Sequence, residues 1–483
     1  MQYDNDAKQM KYKVLRSVAK YSYEGTLEEH INDIPYDIIP GPLPTYRCCI
    51  YREREIIRER IASARGELLP GQPERGIVGV LPAACEGCPI SRFTVTDNCQ
   101  RCLAKKCQAA CPFGAISITG KGAYIDPSKC KECGRCAAAC PYNAISDTMR
   151  PCMRACPVGA ISKDDYNRAQ IDYGKCISCA ACVSGCPFGA ITDRSNLVSV
   201  IEAIRKKETV VAAFAPAIEG QFGDANVGML KAAIKKLGFS SVVEVALGAD
   251  ATAWHEAQEL KEAIQNQMKM TTSCCPAFVE MIEKHFPKLI PNISHTGSPM
   301  TLTARYIREA DPNAKVVFIG PCVAKKLEIQ RVEDSADYVL TFEELAAMFD
   351  AMGIQPNEPA ENEQDGSKLA KGFAQSGGVA ASVSEVLEEE GFELPYSCVK
   401  CNGAKECKKF LMIMNAGKMP EDILEGMACE GGCVAGPGGV ETLQKLLRAR
   451  TKLVAAADNR GIAENIQQLH DFSKIDMTVH RRP

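Results

Sequence analysis

With 483 residues, 46% apolar and 24% charged, the chain has the make-up of an ordinary globular protein, long enough for several domains and a sizeable core. A net charge of −3 offers no basic field for nucleic acid and no polybasic patch for a membrane surface. The outlier is cysteine, with 26 residues.

Residues 1–25 are charged and polar, with neither an apolar signal-peptide core nor a twin arginine. The longest apolar run, 210–218, is nine residues long, contains Pro216 and is far too short to span a bilayer. These features predict a cytoplasmic, reducing location and cysteines that act as thiolate ligands rather than disulfides. Residues 1–80 hold only Cys48 and Cys49 and predict a partly helical segment. Within it, 52–65 reads as a helix, with Ile56, Ile57 and Ile61 at helical spacing.

Residues 81–192 hold 16 cysteines. The string C-P-x-x-A-I recurs four times, starting at Cys111, Cys140, Cys156 and Cys186. Ala115-Ile116-Ser117 leads to Ile125-Asp126 and Cys130, and Ala160-Ile161-Ser162 leads to Ile171-Asp172 and Cys176. Each stretch predicts a strand, a turn and a strand that opens the next cysteine run. The run C-x-x-C-x-x-C-x-x-x-C-P is the bacterial ferredoxin signature, in which the first three thiolates wrap one 4Fe–4S cluster and the fourth ligates its neighbour. Cys130, Cys133, Cys136 and Cys140 match it fully, as do Cys176, Cys179, Cys182 and Cys186. Cys99, Cys102, Cys107 and Cys111 match with two extra residues in the middle gap.

Cys152 and Cys156 form only the second half of a run, and Cys85 and Cys88 supply a missing first half. The expectation is therefore nested. An inner two-cluster unit, 99–140, is inserted in an outer unit made of 81–98 and 141–192. Crossing then gives four ligand sets: Cys99, Cys102, Cys107 and Cys140; Cys130, Cys133, Cys136 and Cys111; Cys176, Cys179, Cys182 and Cys156; Cys85, Cys88, Cys152 and Cys186. Zinc ligation or free thiols are the alternative for Cys85 and Cys88. A row of clusters is a wire, with a one-electron partner at one end and a catalytic centre at the other.

From 193 onward the pattern is α/β. Segments 209–215, 241–247 and 314–319 predict buried strands, and 228–237, 253–265 and 342–352 predict helices. A polar loop is expected at 357–367 and a break at 417–420. A helix is expected from 440 to about 456, then a second helix and an extended tail.

Three segments here resemble the signatures of the FeFe hydrogenase catalytic domain, in the family's order: Thr272-Ser273-Cys274-Cys275-Pro276, Pro321-Cys322-Val323-Ala324-Lys325-Lys326, and Met427-Ala428-Cys429-Glu430-Gly431-Gly432-Cys433. The likeness covers about residues 195–460 and its wording resembles the family's group B branch. It implies a multi-domain α/β protein: a two-lobed catalytic domain at 193–440, preceded by nested ferredoxin-like α+β domains and followed by C-terminal helices and a tail at 441–483. It also implies an H-cluster, a 4Fe–4S cubane joined to a diiron subsite that carries CO, cyanide and azadithiolate.

By that resemblance Cys275, Cys322, Cys429 and Cys433 hold the cubane, with Cys433 bridging to the diiron unit. Lys325, the side chain of Ser298 and the backbone at Ala215 and Pro216 would bond the cyanides, and Phe373 and Met427 would form the apolar wall. Cys274 would pass protons along a path through Glu256, Ser294 and Glu259. Glu256 and Glu259 are three apart and can share one helix face. The arginine that ends the family's path aligns with Ala263. His255 reads as a surface residue. Further departures are Ala277-Phe278 in place of glycine-tryptophan, Gly320 in place of methionine, and Met300 in place of glutamine.

The activity implied is reversible reduction of protons to H2, with maturation proteins as partners. No G-x-G-x-x-G after a strand and no Walker loop is present, so electrons are expected from a ferredoxin-like carrier or a separate flavin subunit. The competing readings are a subunit of a bifurcating NAD-linked complex, a non-catalytic iron–sulfur assembly protein and a hydrogen sensor. Cys398, Cys401 and Cys407 could seat a further cluster or zinc or be structural, and Cys48 and Cys49 read as structural.

Overall fold

The computed structural model describes every residue except 1, 2, 4, 86, 90, 362, 456, 458, 459 and 483, and leaves out the side chains of 452–455. Helix α1 (Asp6–Glu24) starts at Asn5, whose side chain accepts the N–H groups of Ala7 and Lys8, and stops at Gly25, where φ is 78°. Its apolar stripe, Val14, Leu15 and Val18, belongs to the same core as the strands near residue 210. Helix α2 (Ile50–Ala64) buries Ile56, Ile57 and Ile61, as their spacing predicts.

Eight short strands then alternate with the cysteine loops: β1 (Val78–Val80), β2 (Phe93–Val95), β3 (Ile116–Thr119), β4 (Gly122–Ile125), β5 (Ile145–Asp147), β6 (Ile161–Lys163), β7 (Ala169–Ile171) and β8 (Ile191–Asp193). All pairings are antiparallel: β1 with β8, β2 with β5, β3 with β4, and β6 with β7. The pairs therefore close like brackets, with the β2–β5 pair and everything it encloses lying between the two strands of the outermost pair.

The apolar runs beyond residue 208 form parallel strands buried on both faces, as such composition requires. One sheet is four-stranded, in the order β10-β9-β12-β13. It comprises β9 (Val210–Phe214), β10 (Ser241–Glu244), β12 (Lys315–Ile319) and β13 (Tyr338–Leu340). The other has the order β11-β15-β14, from β11 (Met270–Thr271), β14 (Cys398–Asn402) and β15 (Ile423–Met427). Helices α3 (Val227–Lys236), α4 (Ala246–Gln265), α5 (Pro276–His285), α6 (Pro299–Ala310), α7 (Lys325–Arg331), α8 (Phe342–Ala351), α9 (Lys368–Gly372), α10 (Gly378–Glu389), α11 (Ala404–Asn415) and α12 (Leu443–Ala455) cover them. The end expected for the last of these, near 456, lies outside the described residues. No described helix is long and apolar enough to cross a membrane.

One expectation is corrected. The segment 241–247 does not continue as strand, because helix α4 begins at Ala246, seven residues before the predicted start at 253. Its first turns are rich in small residues, and Gly248 lies so close to α6 that a Cβ there would stand 2.3 Å from the Pro299 carbonyl oxygen. Close helix packing overrides the strand propensity of Val245 and ends the strand at Glu244.

Where the cysteine-rich region meets the parallel-sheet region, five largely buried charges interlock: Lys11, Asp193, Lys326, Glu343 and Glu344. Asp193, at the end of β8, receives Lys11 of α1 at 2.7 Å and Lys326 of α7 at 2.7 Å. Lys11 also meets Glu343 at 2.8 Å. Burial alone would raise the Asp193 carboxyl, but Lys11 and Lys326 outweigh it and hold it below the ordinary range. Asp193→Asn would leave Lys11 with Glu343 and Lys326 with Glu344, 3.0 Å away, and is expected to destabilise the fold by about 1.5–3 kcal/mol through the charge-assisted bonds lost. The stability the carboxylate contributes is present above the ordinary Asp range and is lost on acidification through its lowered value. The variant should therefore lack this acid-side loss in thermal melts.

Candidate metal centre

The thiols expected as cubane ligands all follow the carboxyl ends of parallel strands, where the chain turns out of a sheet and side chains converge. Cys275 follows β11, Cys322 follows β12, and Cys429 and Cys433 follow β15. Pro276 occupies the first position of α5, which suits its fixed φ and missing N–H, and this places Cys275 at the helix N-cap. Burial pushes the Cys275 thiol up, while the N–H groups of Ala428, Phe278 and Ala277 and the charge of Lys325 oppose it. Burial and the neighbouring thiols push Cys322 up to about 11 and Cys433 up to about 12, and raise Cys429 as well. All 26 cysteines are free. Buried thiols that resist ionisation become thiolates when a metal cation takes the proton's place, so this donor set fits iron.

Beside this set is a mainly apolar cavity, with Cys275 and Cys433 in its lining. Ala215, Pro216, Cys274, Lys325, Phe373, Met427 and Cys433 all line it. Ser298 does not. It lies behind Lys325, donating to Glu328 and accepting from Lys325 Nζ at 2.8 Å. Lys325 Nζ also bonds Glu328 Oε2 at 2.6 Å and the Cys274 carbonyl at 3.4 Å. Burial opposes the lysine charge, but Glu328 outweighs it and holds the group above the ordinary lysine value. Glu328 is not among the residues expected from the sequence, although its place three residues after Lys325 on a helix is the available signal.

Cys274 is half-buried, is not one of the four thiols, and is pushed well up by desolvation and by Glu256. Glu256 has 0% exposure. Its Oε1 accepts the Ser273 N–H at 3.1 Å, and its Oε2 has no hydrogen-bond partner among the described residues. Burial first, then the charge of Glu259, push this carboxyl up to about 8, against the bond from the Ser273 N–H and the nearby Ser294 hydroxyl. Ser294 Oγ donates to Glu259 Oε2 at 2.6 Å, and Thr296 Oγ1 donates to the same oxygen at 3.1 Å. His255 is not a free surface residue: its Nδ1 lies 2.7 Å from Thr296 Oγ1, because the turn at 294–296 folds back over α4. Ala263, in the arginine position, is buried. Glu259 reaches the surface instead beside His295, whose Nδ1 lies 3.7 Å away and whose side chain is 72% exposed.

The cysteine-rich region sorts into neighbouring sets. Burial and the charges of Cys186, Cys88 and Cys85 push Cys152 up to about 11, so these four lie side by side. Cys182 is raised by burial and by Cys179, Cys176 and Cys156. Cys136 feels Cys130 and Cys111, and Cys107 feels Cys140 and Cys102. The Cys99 sulfur accepts the Ala123 N–H at 3.5 Å. Cys182 also feels Cys152, and Cys179 feels Cys275, so two of the sets adjoin each other and one adjoins the cubane thiols. Lys284 secures that junction by donating to the Cys176 carbonyl at 2.7 Å. Among the described residues no three His, Cys, Asp or Glu side chains close tightly enough for one metal ion. A lone zinc would hold its thiolates only about 2.3 Å away.

Residues 208–437 match the family model described as the iron only hydrogenase large subunit, C-terminal domain. Residues 123–146 match a 4Fe-4S binding domain and 150–190 a 4Fe-4S dicluster domain. This is an FeFe hydrogenase-like protein. It is 29% identical over 303 residues to iron hydrogenase 1 of Clostridium pasteurianum, a match covering 51% of this chain and 52% of that one. The chain thus spans about half the length of that relative. It is 27% identical over 451 residues to the NADP-reducing hydrogenase subunit HndD of Solidesulfovibrio fructosivorans, covering 76% of this chain and 68% of the relative. A shorter match, 37% over 98 residues, covers 20% of this chain and 21% of the cytosolic Fe-S cluster assembly factor NAR1 of Kluyveromyces lactis. Among solved structures, an apo FeFe hydrogenase from Chlamydomonas reinhardtii has the same fold, at 23% identity and a TM-score of 0.50. That match covers 58% of this chain and 94% of the other.

Two departures of this hydrogenase-like chain have a visible packing basis. Phe318 lines the cavity, and a Cβ at Gly320 would stand 2.6 Å from its ring, so the glycine makes room for the phenylalanine. Phe278 lies against Gly426 in the same way, at 2.4 Å from a Cβ there. Cys398, Cys401 and Cys407 do not form one set. Cys401 and Cys407 are buried with Phe278 and Leu411, whereas Cys398 packs on the other side of β14 with Val386 and Leu387. Cys407 bonds Cys401 and donates to the Met427 carbonyl at 3.5 Å, and so underpins the cavity wall. Cys48 is exposed rather than packed.

Proposed function

We propose that the chain catalyses 2H⁺ + 2e⁻ ⇌ H₂ at an H-cluster held by Cys275, Cys322, Cys429 and Cys433. When bound, that group supplies the iron site at which protons and electrons combine. The observation carrying this reading is Cys274, a half-buried thiol that lines the cavity beside the expected ligands and is followed by a fully buried acid with an unpartnered oxygen. A non-catalytic iron–sulfur carrier has no use for that series.

Cys274 holds a proton at its sulfur and exchanges it with Glu256. Ser294 links Glu256 to Glu259, and His295 stands where Glu259 meets solvent. Lys325, fixed by Glu328 and Ser298, presents a cation to the cavity, where it would bond an anionic cyanide. Ala215, Pro216, Phe373 and Met427 keep the site dry.

The sixteen thiols between 85 and 186 form four 4Fe–4S sets in the nested arrangement, an inner unit at 99–140 within an outer one. The bracketed strand pairing and the adjacency of Cys152 to Cys85, Cys88 and Cys186 support this. Electrons reach the site from a ferredoxin-like carrier in the cytoplasm. The likeness to HndD favours, as a second reading, a catalytic subunit of an NAD(P)-linked complex, which would co-purify with a flavoprotein.

Infrared spectroscopy of protein matured anaerobically tests the central claim. Hydrogenase function requires CO and cyanide bands. Their absence after confirmed maturation would discard it and leave the assembly-factor reading.

A further inference from the structure

Helix α12 lies beyond residues 208–437, the part that matches the catalytic family model, and its sequence carries no motif. Yet Arg450 on this helix is 0% exposed. One of its terminal nitrogens, Nη1, donates to the Pro216 carbonyl at 2.8 Å, and the other, Nη2, donates to the Lys371 carbonyl at 2.6 Å. Pro216 and Ala217 form one side of the cavity, and Phe373 and Ala374, just beyond Lys371, form the other. A single flat guanidinium therefore joins the backbones of two cavity walls that lie more than 150 residues apart in sequence.

The surroundings are shaped for this contact. Gly220, with φ of 81°, would place a Cβ 2.7 Å from the Ala449 methyl group, so its missing side chain lets α12 approach. Gly431 does the same for Leu443, on the turn that leads to Cys433. Glu219 Oε2 lies 3.5 Å from Arg450, and Lys371 Nζ sits between Glu219 at 3.5 Å and Glu244 at 3.4 Å. The buried charges are thus balanced. A buried cation is a poor source of stability, since an apolar group of similar size often serves as well. What it supplies is direction, because the rigid fork of donors fixes two acceptors in one plane.

We propose that Arg450 is a positioning residue that sets the spacing of the cavity walls, so that the C-terminal helix governs how the diiron group is held. This rests on reading the cavity as the H-cluster site. Arg450 does not line the cavity and acts through the Pro216 and Lys371 backbones. Lysine, with its single ammonium on a flexible stem, holds one carbonyl in place of two.

The test uses the full chain, native and with Arg450→Met or Arg450→Lys, with and without maturation. Hydrogen–deuterium exchange is followed by mass spectrometry, together with the CO and cyanide infrared bands of matured protein. Arg450→Met should speed exchange in both 214–219 and 369–375 by about tenfold or more, as the loss of a charge-assisted bond in each segment requires, and leave α1 unchanged. It should also shift or broaden the cyanide bands. Arg450→Lys should protect one segment and sharpen the bands part of the way back, and it serves alone if the methionine variant does not fold. Native exchange in both segments, uniform acceleration over the chain, or unchanged bands with both segments loosened would overturn the proposal. A native protein without CO and cyanide bands would defeat the functional reading while the exchange result still decided whether Arg450 ties the walls.

Discussion

Cys274→Ala should leave the CO and cyanide infrared bands in place and lower hydrogen turnover by about a hundredfold or more, the usual scale of a lost proton-transfer group. The two outcomes separate because Cys274 lines the cavity without belonging to the four-thiol set. Removing its sulfur leaves every ligand and Lys325 in place, since the lysine bonds the Cys274 backbone carbonyl rather than its side chain. What is lost is the only titratable group between the cavity and Glu256 in the proposed series. Turnover at the native rate would remove Cys274 from the path. Loss of the bands together with the activity would instead make it part of the cofactor's seat.

Glu256→Gln should impair activity and improve stability, and the second effect has a definite pH dependence. Turnover should fall by about a hundredfold, because the amide keeps the bond to Ser273 but cannot pass on a proton. In the unfolded chain Glu256 titrates at the ordinary glutamate value of 4.5, whereas burial pushes it up to about 8 in the folded protein. Between those values the folded state keeps a proton that the unfolded state has lost, so the native protein loses stability as pH rises through this window. Glutamine carries no such penalty. The melting-temperature advantage of the variant should be small below pH 4.5, grow up to about 8 and then level off. A difference that did not change with pH would mean that the Glu256 environment does not raise its pKa.

The features readable in the sequence are local ones. The ferredoxin runs are spacings of a few residues that a tight loop imposes on its ligands, and the parallel strands appear as apolar runs because both faces are buried. The helix α2 stripe of Ile56, Ile57 and Ile61 is legible for the same reason. Errors arise where distant packing decides. Val245, Ala246 and Leu247 after Glu244 are apolar and read as a continuation of the strand, yet Gly248 and its small neighbours draw the chain into a helix against α6. His255 reads as exposed because Thr296, its partner, is 41 residues away.

The site divides along the same line. Cys275, Cys322, Cys429 and Cys433 stand in recognisable strings, but the groups that orient the cavity do not. Glu328 has a helical spacing that could have marked it. Arg450 has none, because it reaches Pro216 across 234 residues and nothing in a lone arginine on an amphipathic helix announces two backbone carbonyls. Cys398 and Cys401 look like a ligand pair on paper, and strand alternation sends them to opposite faces.

The pairing of β2 with β5 has a consequence for how such proteins change length. Phe93 and Asp147 are register partners, so the chain enters and leaves the enclosed segment at neighbouring points, about 4.5–5.5 Å apart between Cα atoms. A stretch of more than fifty residues hangs from the remainder by two adjacent strands. A tight turn could replace it without moving the outer pair, β1 and β8, and a longer stretch could be grafted in at the same place. The protein is spliced like a cable with a socket part-way along, so a lineage could add or discard cysteine-rich modules while the parallel-sheet end stayed untouched.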